Sequence, residues 1–213
     1  MTNEDFRWLL LDSCAAVATL AVGCGETTLA TEAIAGRAFS AEWPAALRRL
    51  LAIAGWKVDE VEVVGVVHGP GSFTGVRVGL AAAKGLCEAV GAKLVAVSRL
   101  EVLAKHGVAG GLAVLDAGRD EFYVRDAGAE FLTDREGLSA ASRDRTVVTS
   151  DERVAKVFAD ALAVPLEATS ALPILLRRCS EGDFADVAAI DANYVRSERD
   201  IYARTPAAGE NAR

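Results

Sequence analysis

The chain has 213 residues, 52% of them hydrophobic, and a formal net charge of −7. That length suits one domain or two small lobes with ample core, while the acidic balance argues against a chain that grips a nucleic-acid backbone alone, which needs clustered Lys and Arg. No uncharged run is long enough to span a membrane, and the most apolar region, residues 61–97, carries Arg77 and Lys84.

The N-terminal MTNEDFR is acidic and lacks the basic, apolar and small-residue order of a signal peptide, so a cytoplasmic location is expected. RWLLLD (residues 7–12) reads as a buried strand ending in Asp12. AVATLAV (16–22) and TLATEAIA (28–35) follow across tight turns, which predicts an antiparallel meander. Cys14 and Cys24 could face each other on this hairpin, but reduced thiols are the preferred reading for them and for Cys87 and Cys179.

From Ser40 the period changes. Trp43, Leu47, Leu50, Leu51 and Ala54 fall on one helical face, with Ser40 as cap, Pro44 near the first turn and Gly55 as stop. VEVVGVVH (61–68) reads as a strand buried on both faces. A glycine-rich loop then opens a helix over about residues 74–90, stopped by Gly91. KLVAVS (93–98) and RLEVLAKHG (99–107) read as a strand and a short helix. This order predicts an α/β layer fold with a mixed sheet.

The theme then restarts. GLAVLDAGRDEFYVRD (111–126) repeats the plan of the first hairpin, with Asp116 where Asp12 stood. AEFLT (129–133) reads as a third strand, residues 134–145 as an arginine-rich loop and TVVTS (146–150) as a further strand. Asp151 or Ser150 caps a helix bearing Val154, Val157, Phe158 and Ala161 on one face. Thr169 or Ser170 caps another bearing Leu172, Leu175, Leu176 and Cys179, closed by Gly182. The expected division is a first lobe over 1–106, a second over 107–205 and a frayed tail over 206–213.

The loop HGPGSFTGVRVG, from His68, has two readings. As a phosphate cradle it fits neither GxxxxGK[ST] nor GxGxxG, because Thr74 stands where the latter needs its last glycine. An anion site at the helix start stays open. As a packing surface it presents Gly75, Gly79 and Ala83 at four-residue spacing. Gly79 and Gly85 together cost the helix roughly 2 kcal/mol, so close approach by another backbone must compensate. On spacing alone, packing on the chain's own sheet is the preferred reading.

The string GPGSFTGVRVGLAAAKGL resembles the signature of the TsaB (YeaZ) family of bacterial threonylcarbamoyladenosine accessory proteins. The likeness extends to LDS, SAEWPAALRRLL, VSRLEVLA, LDAGRDEFYV and NYVRSERD, and so covers most of residues 7–202. Phe39 and Ala192 depart from a histidine and a proline that are frequent in the family.

The resemblance implies two RNase-H-like lobes of the actin/Hsp70/sugar-kinase-like (ASKHA) superfamily. It implies a non-catalytic subunit that docks a TsaD-type catalytic subunit, homodimerises alone, joins a TsaE-type ATPase in a larger assembly and meets tRNA only through the complex. It also turns the preference at the helix stripe toward docking, with Trp43, Leu47, Leu51, Gly75, Val76, Gly79, Leu80, Ala83 and Leu86 as the expected partner interface.

The chemistry of a catalytic relative is not legible. His68 and His106 do not form an HxxxH pair, so no metal site is expected. Asp12, Ser13 and Asp116 are weak candidates for holding a nucleotide, preferred as turn residues of a degenerate cleft. No cofactor is expected, with nucleotide at a subunit junction left open. Ser72, His68 and Asp116 form a catalytic trio only on paper, since no GxSxG elbow is present. Arg119, Asp120 and Glu121 read as a solvated turn. The alternative from another class is a small ASKHA-type ATPase or kinase using Asp12 and Asp116.

Overall fold

The computed structural model describes residues 6–195. The expected tail at 206–213, the last ten residues assigned to the second lobe and the end of NYVRSERD lie outside the described residues. β1 (Arg7–Asp12), β2 (Val17–Cys24) and β3 (Thr27–Ala35) form the predicted antiparallel meander. β4 (Val63–Val67) joins β1 in parallel and β5 (Lys93–Val97) joins β4, giving the order β3-β2-β1-β4-β5. β4 is buried at every position and β1 at every position after Arg7, so these central strands have no solvent face.

α1 (Phe39–Ala54) packs on β2 and β3, and α2 (Phe73–Val90) packs on β4, β1 and β5. Both end on left-handed glycines, Gly55 and Gly91, as expected. Ser40 does not cap α1. A 3-10 turn over Gly36–Ala38 delivers the chain already curled, the N-cap is Ala38, and Pro44 lies inside the helix. Phe39, in place of the frequent family histidine, is 1% exposed and belongs to the core.

The second sheet repeats the first. β6 (Leu112–Gly118), β7 (Glu121–Asp126) and β8 (Ala129–Asp134) form a meander. β9 (Val147–Thr149) and β10 (Leu162–Ala163) extend it in parallel, in the order β10-β9-β6-β7-β8. In each sheet the first strand is central, with its hairpin on one side and the parallel pair on the other. Asp12 and Asp116 occupy equivalent ends: Asp12 Oδ1 accepts the Cys14 N–H at 2.9 Å and Asp116 Oδ1 the Gly118 N–H at 3.0 Å.

β10 is not expected from the sequence, and three further elements differ from expectation. The arginine-rich loop contains α4 (Arg135–Ala141), whose cap Asp134 accepts the Gly137 N–H. α5 spans only Glu152–Val157, so Phe158 and Ala161 pack beyond its end. The last helix, α6 (Leu172–Glu181), is entered through a 3-10 turn over Ala168–Ala171 and is capped by neither Thr169 nor Ser170.

The covering helices cross between the halves. α3 (Arg99–His106) follows the first sheet but buries Leu100 and Leu103 with Ala113, Leu115 and Val148 of the second. Residues 168–181 follow the second sheet but return to the first, where Ala168, Ala171, Ile174 and Leu175 join its core. Leu175 reaches Leu10 and Gly65, closing the sheet. A cut at residue 106 separates the strands but not the helices that cover them.

Cys14 and Cys24 do not meet. Cys24 pairs with Arg7, at the end of the hairpin remote from Cys14, and the four cysteines form no disulfide with one another. No helix among the described residues is long and apolar enough to cross a membrane.

Candidate functional site

Two places hold the sequence-predicted residues: the cleft between the sheets and the outer layer of α1 and α2. The cleft has a volume of about 710 Å³. The turn after β1 contributes Ser13 and Cys14, the loop before α2 contributes Gly71 and Ser72, and the second sheet contributes Asp116, Asp151 and Arg153.

Asp12 is 5% exposed and is spent on its own turn. Asp116 does face the cleft, but Arg153 Nη1 lies 3.0 Å from its Oδ2, so its charge is already countered. Ser13 is 1% exposed, and its Oγ donates to the Gly75 carbonyl at 2.7 Å. These three are therefore not assembled around one point. Ser72, His68 and Asp116 are not assembled either. Ser72 Oγ accepts the Gly75 N–H as the α2 cap, whereas His68 Nδ1 pairs with the Asp191 carbonyl at 3.0 Å beside a separate pocket. Burial holds the His68 imidazole below its ordinary pKa, with the Asp191 hydrogen bond opposing. His106 Nε2 pairs with the Ser170 carbonyl. Among the described residues no cluster of three His, Cys, Asp or Glu is placed to hold a metal. In the Arg119–Glu121 run, Arg119 and Asp120 are exposed as expected but Glu121 is buried, because β7 begins there.

The α2 stripe is used inside the chain. A Cβ on Gly75 would collide with the Ser13 carbonyl oxygen, and one on Gly79 with Ser13 Oγ. Ala83 is 0% exposed, and Val76, Leu80 and Leu86 belong to the core with Leu47 and Leu51 of α1. Trp43 is half-buried against them. The turn after β1 already occupies the line at Gly75 and Gly79, and Ala83 is buried in the core, so this line is not open to a partner helix.

The opposite face of α2 carries a second small-residue line. Ala81, Gly85 and Ala89 are exposed at the same four-residue spacing, and a Cβ on Gly85 would meet nothing within 4 Å. Phe73, 66% exposed, stands at the start of α2 with the Arg77 guanidinium 3.4 Å from its ring centroid. Ile53, 69% exposed, lies on α1.

The two halves are joined by a polar knot that sequence reasoning did not find. Glu130 on β8 accepts Ser98 Oγ–H at 2.6 Å, Arg125 Nη1–H at 2.8 Å and Asn193 Nδ2–H at 2.8 Å. Arg99 and Arg153 were missed as well. Their positions in the cleft depend on α3 and α5 turning toward it, for which periodicity holds no signal.

Two sheets of one strand order, facing each other across a cleft, define a two-lobed protein of RNase-H-like halves. The family model described as TsaD, tRNA N6-adenosine threonylcarbamoyltransferase, matches residues 32–157, more than half of the chain. The chain belongs to that family.

The tRNA threonylcarbamoyladenosine biosynthesis protein TsaB of Escherichia coli (strain K12) is 33% identical over 94 residues, 42% of this chain and 39% of that protein. The protein of the same description from Haemophilus influenzae is 33% identical over 103 residues, 42% of this chain and 44% of that protein. The match thus spans less than half the length of either curated relative. Two Pseudomonas aeruginosa structures share the fold. One, described as an uncharacterized protein with similarity to peptidase YEAZ, aligns with a TM-score of 0.76 at 22% identity, over 90% of this chain and 100% of that one. The other, YeaZ, gives 0.74 at 23%, over 89% and 99%.

Proposed function

We propose that this chain is a non-catalytic accessory subunit in tRNA threonylcarbamoyladenosine modification, which binds and supports a TsaD-type catalytic subunit. Gly85 carries the reading. It sits in the middle of an 18-residue helix, where glycine costs about 0.8–1 kcal/mol against alanine, and among the described residues nothing lies within 4 Å of where its Cβ would be. The exposed line Ala81–Gly85–Ala89 lets a second helix come close, and Phe73 and Ile53 supply the large apolar groups on which helix docking depends. The docking surface is then the outward side of α1 and α2, rotated from the expected positions.

The same surface serves a second copy of the chain when the catalytic subunit is absent, and exchange between the two selects the working assembly. A TsaE-type ATPase and the tRNA are reached through that assembly, and a nucleotide at the subunit junction is compatible with it. The pairing of Asp116 with Arg153 weighs against the ATPase or kinase alternative.

The test is size-exclusion chromatography with light scattering, on the chain alone and mixed with a TsaD-type subunit. A one-to-one complex that displaces any homodimer, and that Gly85→Leu abolishes while the monomer stays folded, is the expected result. Absence of a complex with and without nucleotide rejects the proposal.

A further inference from the structure

A second concave space lies apart from the interlobe cleft. It has a volume of about 390 Å³ and shares no lining residue with the cleft. His68 follows β4, Arg125 comes from β7 and Asp183 from the turn after α6. Ala96, Ala185 and Ile190 supply its apolar wall. A small cavity with an apolar wall and a few polar groups is the usual form of a small-molecule site.

Most of the charge around this space is consumed within the chain. Glu101 accepts Arg178 Nη2–H at 2.7 Å on one oxygen and Arg177 Nη2–H at 3.3 Å on the other. Ser98 Oγ donates to Glu130 and accepts the Asn193 Nδ2–H. Three groups are left over. Arg125 spends only Nη1, on Glu130, so its Nε and Nη2 have no partner among the described residues. The Asp183 carboxylate accepts no hydrogen bond among those residues, and its one ion-pair contact, Arg178 Nε, is 3.7 Å away. His68 gives its Nδ1–H to the Asp191 carbonyl, which can only accept, so the neutral ring keeps Nε2 as an acceptor.

An open guanidinium edge, an open carboxylate and an acceptor nitrogen thus line one cavity beside an apolar wall. A simple anion would find Arg125 but also Asp183, and a simple cation would find the reverse. A molecule that carries both charges satisfies both. We propose that this cavity binds a free α-amino acid with a short apolar side chain. Its carboxylate pairs with Arg125, its ammonium with Asp183 and His68 Nε2, and its side chain lies on Ala96, Ala185 and Ile190.

The experiment uses the isotope-labelled chain alone, so it is independent of any docking partner. Glycine, L-alanine and L-valine are titrated while the backbone amides of Ser98, Ala185 and Ile190 are followed by NMR. Saturable shifts at millimolar ligand are expected. N-Acetylvaline and valinamide each lack one of the two charges and should bind about tenfold or more weakly than valine. Asp183→Asn and Arg125→Gln should each weaken binding by about the same factor, while Arg48→Gln, on the exposed side of α1, leaves it unchanged. Asp183 is exposed, so its variant decides the matter even if Arg125→Gln, which also breaks the Glu130 pair, fails to fold. No saturable shift with any of the three amino acids, equal binding of either one-charge analogue, unchanged affinity in Asp183→Asn, or shifts confined to the interlobe cleft would each overturn the proposal.

Discussion

Ser13 and Gly79 meet with no room for another atom: a Cβ on Gly79 would collide with Ser13 Oγ. Ser13 cannot step aside, because it is buried and its hydroxyl holds the Gly75 carbonyl one turn earlier on α2. Gly79→Ala should therefore destabilise the monomer by about 1–3 kcal/mol, read as a lower urea midpoint, and Gly79→Leu should prevent folding. An unchanged midpoint for Gly79→Ala would mean that the first turn yields freely.

Gly85→Ala should do the reverse. The added methyl meets open space and removes an interior helix glycine, so the monomer should gain about 0.8–1 kcal/mol. Urea melts of the two alanine variants side by side distinguish the inward glycine from the outward one. A loss of stability at Gly85 would show that its face is covered in the free chain.

That contrast shows where the sequence stopped being readable. The strand–Asp–turn–strand plan appears twice in the chain, and both sheets follow from it. Alternation, continuous β-branched runs and glycine stops are local signals. The α2 helix, however, carries two small-residue lines, 75–79–83 and 81–85–89, both with a four-residue period. Spacing alone does not say which of them the first turn occupies. α4 was hidden because only Leu138 of its seven residues is buried, leaving no apolar face to count, although the Asp134 cap was in view. Arg99 looked like any polar residue opening a short helix. Its burial is a product of α3 crossing to the second sheet, a long-range event with no local trace.

Glu130 ties residues from both halves to one carboxylate. Glu130→Ala would leave Arg125, Ser98 and Asn193 without their shared acceptor. The expected loss is roughly 2 kcal/mol, larger than for Asn193→Ala, which removes one donor and leaves the Arg125 pair. Equilibrium denaturation of the two variants checks the order. Equal or negligible losses would show that the knot adds nothing to the joining of the halves.

His68 makes stability depend on pH in a defined direction. Its folded pKa lies below the ordinary 6.5, chiefly because burial disfavours the imidazolium. Above pH 6.5 it is neutral in both states and has no effect. As pH falls below that value the unfolded chain takes up the proton first, so stability drops through the folded pKa. Urea midpoints followed from about pH 8 to about pH 5 should show wild type falling away from His68→Gln only in the acidic part. Parallel curves throughout would remove the effect.

The exchange of covering helices has a consequence for how the chain is made. Leu175, which closes the first sheet over Leu10 and Gly65, is synthesised after every strand of both sheets. A growing chain therefore cannot finish its first half and then begin its second. The early sheet stays partly uncovered on the ribosome until residues 168–181 emerge, and its last burial coincides with completion of the other half. Stalling or truncation ahead of that point leaves an open apolar face rather than a smaller working protein.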